Sequence, residues 1–202
     1  LVQGEFREKL FIIKNYVDAE RIKRFMRTSR SVIIIGGGAI GVEIAQLMNN
    51  AKIETTLIHA SDNILNRYLD QEVAEDVQKT LALRGIDIVT NSVVTDIKEE
   101  TIENTNIHEG NVGNVISRVF TRDGREFVAD GVIYATGFRP NTFLASEQLE
   151  LGDKGAILVD DYMQTSHPDV FAVGDCATTN ACLKDWSCRI IPGSVKISRI
   201  AR

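Results

Sequence analysis

The 202 residues carry 23 Lys and Arg against 28 Asp and Glu, a formal net charge of −5, and 44% of them are hydrophobic. That composition supplies a core and excludes a general electrostatic footprint for nucleic acid, because no Lys/Arg cluster is dense enough to offset the acidic excess. No apolar run is long enough to span a bilayer, the opening Leu1-Val-Gln-Gly-Glu5 lacks the regions of a signal peptide, and three cysteines do not make a secreted disulfide framework, so a cytoplasmic α/β chain without a membrane partner is expected.

In chain order, residues 10–13 form a short extended candidate, followed by a helix from Asp18 to about Met26 with Asp18 as N-cap. Ala19, Ile22 and Met26 fall on one face of it with Phe25 beside them, and Arg21, Lys23, Arg24 and Arg27 make its solvated face. Residues 32–35 are an uninterrupted β-branched run, which suits a strand buried on both sides of a parallel sheet. Gly36, Gly38 and Gly41 then fall at G-x-G-x-x-G spacing, and Ile40, Ile44, Leu47 and Met48 recur as the apolar face of a helix. A glycine pattern set between a strand and a helix is a dinucleotide-binding fingerprint. Gly36 permits the turn, Gly38 lets the backbone approach a pyrophosphate, Gly41 lets helix and strand pack closely, and the helix N-terminus at Gly37, Ala39 and Ile40 faces the phosphates.

The pattern continues with a strand at 55–58, closing the first βαβ unit near His59, then a helix bearing Val73, Val77 and Leu81 that stops at Gly85, then a strand at 86–89. Strand candidates at 93–97, 115–120 and 127–128 follow with no helix between them and with Asp123-Gly124 as a tight turn, which reads as an antiparallel three-stranded meander. Gly110-Asn-Val-Gly-Asn114 marks a longer loop, and His108 beside it has no partner at ligand spacing. A buried strand at 132–135 runs into Gly137, and an apolar strand at 170–173 runs into Gly174-Asp175. Backbone bared at such strand ends is where open α/β sheets bind ligands. Asp175 fits either a carboxylate for a sugar-like polyol or an ordinary turn pair. The tail from 177 to 202 reads as the opening of a helix, and the spacing of Cys176, Cys182 and Cys188 matches no familiar metal site, so no metal is expected.

Three motifs in one order, Val32-Ile-Ile-Ile-Gly-Gly-Gly-Ala-Ile-Gly-Val-Glu43, Tyr134-Ala-Thr-Gly-Phe-Arg-Pro-Asn141 and Val170-Phe-Ala-Val-Gly-Asp175, resemble the pyridine nucleotide-disulfide oxidoreductase family of flavoproteins. The resemblance is to the branch with NADH oxidases, NADH peroxidases and coenzyme A-disulfide reductases, and Asp18-Ala-Glu-Arg-Ile22 and Val159-Asp-Asp-Tyr-Met-Gln-Thr-Ser166 share it. It implies a Rossmann-like NAD(P)-binding domain at 31–141, a crossover from a flavin domain at 1–30 and a partial return to that domain at 142–202.

It further implies NAD(P)H and FAD as cofactors and a homodimeric whole protein. Because the pattern's FAD fingerprint, reactive cysteine and dimer domain do not occur here, the chain is expected to be a fragment, inactive alone and without catalytic residues of its own. By resemblance Gly36, Gly38 and Gly41 form the pyrophosphate turn, Glu43 lies near the nicotinamide, Gly137 borders the cofactor site and Asp175 bonds the flavin ribityl chain. Glu43 also reads as a first-turn glutamate favoured by the helix dipole. His59 stands where an acidic residue would bond the adenine ribose, which points to a weak preference for NADPH, or it is an exposed strand-end residue.

A stand-alone nucleotide-binding or sensing module is the alternative function. A short-chain dehydrogenase is excluded, because no Tyr-x-x-x-Lys occurs at Tyr16, Tyr68, Tyr134 or Tyr162.

Overall fold

The computed structural model describes residues 8–102 and 114–179, and the chain divides into two compact units, Leu1–Gly137 and Phe138–Arg202. The first unit is built as β1 (Leu10–Ile12), α1 (Tyr16–Thr28), β2 (Ser31–Ile35), α2 (Ala39–Asn50), β3 (Glu54–Ile58), α3 (Gln71–Leu83) and β4 (Ile86–Val89). It continues through β5 (Val94–Ile102), β6 (Asn114–Thr121) and β7 (Glu126–Ala129) to β8 (Val132–Tyr134). Five strands form a parallel sheet in the order β1-β8-β2-β3-β4, and β5-β6-β7 form the antiparallel meander. The α/β fold with a Rossmann-like sheet and a three-stranded meander is therefore present.

The apolar run of β2 is buried on both faces for a visible reason. Val32 and Ile34 point to the helical side, where they pack with Val42, Ala45 and Met48 of α2, Leu81 of α3, Leu57 and Ile133. Ile33 and Ile35 point to the opposite side and meet Ile58, Val89 and Val132 together with Ile97, Val119 and Ala129 of the meander. A strand with a core on each side has no place for alternation with polar residues. The start of β2 is tied to the start of β8 by a reciprocal bond set. The Asp130 carboxylate accepts from the N–H groups of Arg30 and Ser31 at 2.6 and 3.0 Å, and the Ser31 hydroxyl accepts from the Asp130 N–H at 3.0 Å.

Three helical expectations are corrected. The N-cap of α1 is Asn15, not Asp18. Asn15 accepts from the Asp18 N–H at 3.1 Å while Asp18 accepts from the Asn15 N–H at 3.2 Å, a capping box that places Asp18 one turn in. Ala19 is exposed while Ile22 and Phe25 are buried, and the tilted Phe11 ring lies 4.7 Å from that of Phe25 between centroids. On α2, Ile40 and Leu47 are 47% and 53% exposed, and the buried face is Gly41, Val42, Ile44, Ala45 and Met48. Gly41 must face the sheet, which turns Ile40 and Leu47 outward. On α3, Val73 is exposed and Ala74 takes its place in the core beside Leu81.

In the second unit a two-stranded parallel sheet pairs β9 (Ile157–Val159) with β10 (Ala177–Thr179), neither of which was expected. Its buried cluster is small: Val159, Met163, Ala172 and Ala177, with Ile157 half-buried against them. The strand expected at 170–173 is absent. Phe171 makes a single bridge to Gln164, and of the four residues only Ala172 is buried, so the apolar run lacks the paired neighbours that a strand needs. Gly110, His108 and the tail beyond Thr179 lie outside the described residues. Among those described, no helix is long and apolar enough to cross a membrane.

Candidate functional site

The turn between β2 and α2 begins where the strand stops. The Gly36 N–H donates to the Ile58 carbonyl at 2.8 Å, and the Ala135 N–H donates to the Ile35 carbonyl at 2.8 Å, so both neighbouring strands hold the point of departure. Gly36 has φ +113°, outside the range of L side chains, and a Cβ there would lie 2.4 Å from the Ala135 carbonyl oxygen. At Gly41 a Cβ would lie 1.8 Å from the Gly36 carbonyl oxygen, so only glycine lets α2 approach the strand this closely.

Gly38 differs from both. It is the N-cap of α2, it offers no capping side chain, and a Cβ there would meet nothing within 4 Å. The first N–H groups of a helix have no intrahelical partner. Here those of Ala39, Ile40 and Gly41 begin α2 next to an open surface, with the positive end of the helix dipole behind them. Free N–H groups and a positive dipole end are the features that suit a helix start to an anion.

Gly37 is gripped from two sides by the loop that follows β3. Its N–H donates to Nδ1 of His59 at 3.1 Å, and its carbonyl accepts from the Leu65 N–H at 2.7 Å. Leu65 takes a left-handed φ of +56° in doing so, and fully buried Ile64 fills the space beside Gly37. The backbone of His59 is fixed as well, its N–H donating to Val89 at 2.8 Å and its carbonyl accepting from Ser92 at 2.9 Å. Burial pushes the His59 imidazole below its ordinary value, with help from the Arg67 charge and against Asn66, Asn63 and Asp62, which favour the charged ring.

The structure thus gathers Gly36, Gly37, Gly38, Ala39, Ile40, Gly41 and His59 at the carboxyl ends of β2 and β3. Glu43 is exposed one turn into α2, and Gly137 is exposed three residues beyond the end of β8. Asp175 belongs to the second unit, where it is exposed. Sequence reading passed over Ile64, Leu65 and Ala135. The signal for the first two was an apolar pair inside the polar loop Asp62-Asn63-Ile64-Leu65-Asn66.

A depression of about 520 Å³ lined by Gln78, Lys79, Ala82 and residues 85–88 lies elsewhere. It sits where β4 begins, at the amino end of the sheet, whereas open α/β sheets bind ligands at the carboxyl ends. Cys176 is a free, half-buried thiol whose Sγ lies 3.3 Å from the Val173 carbonyl oxygen, and Cys182 and Cys188 fall outside the described residues.

A family model described as pyridine nucleotide-disulphide oxidoreductase matches residues 1–196. An NADH oxidase of Enterococcus faecalis (strain ATCC 700802 / V583) is 34% identical over 179 residues, covering 89% of this chain and 37% of that protein. The water-forming NADH oxidase from Lactobacillus brevis, solved bound to NADH, superposes with a TM-score of 0.72 at 25% identity, covering 85% of this chain and 35% of that one. An FAD-dependent pyridine nucleotide-disulphide oxidoreductase from Desulfovibrio vulgaris superposes with a TM-score of 0.65 at 33% identity, covering 84% of this chain and 41% of that one. The chain spans well under half the length of each of these relatives.

Proposed function

The chain belongs to the pyridine nucleotide-disulphide oxidoreductase family, and we propose that its first unit is the part of such an oxidoreductase that binds NAD(P)H and positions the nicotinamide for a flavin. The observation that carries this reading is Gly38: an uncapped helix start with open space where a side chain would stand. A dinucleotide pyrophosphate fits such a place, since it brings negative charge to free N–H groups and needs the backbone bare. When bound, NAD(P)H supplies the hydride. The residues of this chain bind and orient: the N–H groups of Ala39 and Ile40 would take the pyrophosphate, Glu43 would border the nicotinamide, and Gly137 would leave room beside it.

In the whole protein, residues 31–141 would form the nicotinamide domain, 1–30 the crossover into it and 142–202 the return toward an FAD domain, where Asp175 would bond the ribityl chain. The whole protein would be a flavin-dependent homodimer. One carboxylate does not replace a flavin-binding domain, since a charged hydrogen bond contributes only about 1.5 to 3 kcal/mol. The chain alone should therefore take up nicotinamide cofactor without stoichiometric FAD and without steady NAD(P)H turnover.

Gly38→Asp tests the reading. The new side chain has space in the ligand-free fold, so the melting curve should match the wild type, while the carboxylate should abolish binding in calorimetric titrations with NADH and NADPH by blocking and repelling the pyrophosphate. Unchanged binding by a folded variant would make the glycines structural only. In the same titrations NADPH should bind slightly tighter than NADH, as no acidic residue stands at position 59, and NADH tighter by about tenfold would reverse that preference.

A further inference from the structure

We propose that His59 is a positioning residue for the dinucleotide: its neutral ring holds the Gly37 peptide, and so the glycine turn, in the binding conformation, and protonation of Nδ1 releases that hold. The proposal rests on the nucleotide-site reading above. Gly37 N–H donates to Nδ1 at 3.1 Å, so Nδ1 bears no proton in this structure and the neutral ring carries its proton on Nε2. Nε2 is buried without a hydrogen bond of ordinary geometry, and Asn66 and the Asn63 backbone also act on the ring, while the bond at Nδ1 is the one that reaches the glycine turn. The ring also lies against the turn: a Cβ built on Gly37 would stand 2.9 Å from His59 Cγ and 2.7 Å from Ile64 Cγ2. The other end of the Gly37 residue is held by the Leu65 N–H, from the same loop.

Two consequences follow for the site. The Gly37 N–H is withdrawn from the anion, which leaves the pyrophosphate to the groups from Gly38 onward. A protonated ring would set an N–H donor against the Gly37 N–H, and one of the two must swing away, because two donors cannot share a hydrogen bond.

The charged groups that act on the ring are Asp62 and Arg67, both in its own loop. The glycine turn facing it carries no titratable side chain, and neither does Ser92, whose N–H binds the His59 carbonyl. The ring is harder to protonate folded than unfolded, so the stability it contributes is present above the ordinary histidine value of 6.5. That stability is lost as pH falls through the lower folded value.

The test uses the full chain with His59→Asn and His59→Leu, titrated with NADH at about pH 7.5 and about pH 5, beside ligand-free melts. Asparagine keeps an oxygen acceptor at the δ position without a titrating proton. Leucine removes the acceptor. Wild-type affinity should fall about three- to tenfold between the two pH values. His59→Asn should keep the wild-type affinity of the higher pH at both, and His59→Leu should bind about three- to tenfold more weakly at both. A folded His59→Leu that binds like wild type, or a His59→Asn that keeps the wild-type pH slope, overturns the role of His59. A wild-type chain that binds no NADH at either pH overturns the nucleotide-site reading and the proton linkage with it. Nitrogen-15 NMR of the ligand-free chain then still judges the clamp. An Nε2–H tautomer with a Gly37 amide that shifts as the ring titrates supports it, and an Nδ1–H tautomer overturns it.

Discussion

The two units bury their apolar residues to very different degrees. In the first, Ile33, Ile34, Met48, Leu57, Ile58, Ile97 and Ile133 are all fully enclosed, and the sheet has a core on each side. In the second, the buried cluster holds four residues, two of them alanine, while Leu144 is 86% and Tyr162 84% exposed and Phe143 and Phe171 are exposed as well. Exposed single hydrophobes are ordinary, but among the described residues of the second unit Phe138, Phe143, Leu144 and Phe171 are all exposed, while Val159 and Met163 are the large side chains its cluster buries. The first unit carries the means of its own stability. Among its described residues the second has a far smaller core.

That contrast can be broken by truncating each core. Ile34→Ala removes three carbons from a site with no exposure and should cost about 3 to 4 kcal/mol, read as a lowered midpoint in denaturant. Val159→Ala should cost about 1 to 2 kcal/mol and leave the amide-exchange protection of β2 and β3 unchanged. If Val159→Ala lowers protection in β2 and β3 as much as Ile34→Ala does, the two units are not separate in stability. Between these two in size is Gly41→Ala, which forces a methyl group onto the Gly36 carbonyl and should cost about 2 to 3 kcal/mol even though alanine is the better helix former. A stabilised Gly41→Ala would mean that α2 packs less closely than the structure shows. The smallest effect belongs to the rim of the first unit, where Tyr16 and Val17 are as exposed as the residues of the second. Asn15→Ala breaks the capping box and should cost about 1 kcal/mol, with faster amide exchange confined to the first turn of α1. Spread of that change into β2 would count against a self-sufficient core.

What the sequence disclosed follows the same line. Residues 32–35 and 86–89 were readable as strands because burial on both faces leaves only β-branched and apolar residues to choose from. The order of the sheet's helices and strands, the meander and its Asp123-Gly124 turn were legible for a similar reason, since each local signal agreed with the fold around it. The phase of α2 was not legible. Ile40 and Leu47 fit a helical stripe by spacing, but the requirement that Gly41 face β2 is steric and set by the Gly36 carbonyl, which periodicity does not register. Asp18 was misplaced because Asn15 and Asp18 are both good caps and only the start of α1 decides between them. In the second unit 170–173 read as a strand on propensity alone, and β9 and β10 were missed because three-residue strands carry almost no periodicity. The glycine turn was fully announced by spacing. The bond from Gly37 to His59 spans 22 residues and depends on a side-chain rotamer at a strand end, so nothing in the sequence could indicate it.

The strand order has a consequence for how the chain is made. β8 lies between β1 and β2, yet it follows β2 by about a hundred residues, and the Asp130–Ser31 tie joins positions 99 apart. A ribosome delivers β2, β3 and β4 long before their missing neighbour, so a strand with four buried apolar residues waits with one edge unpaired while the whole meander is synthesised. Loop closure over that distance is slow compared with local pairing. The nascent sheet is therefore open along β2 until Tyr134 has emerged, and during that interval the hydrogen-bonding edge of Ile33, Ile34 and Ile35 is available to any extended strand that reaches it.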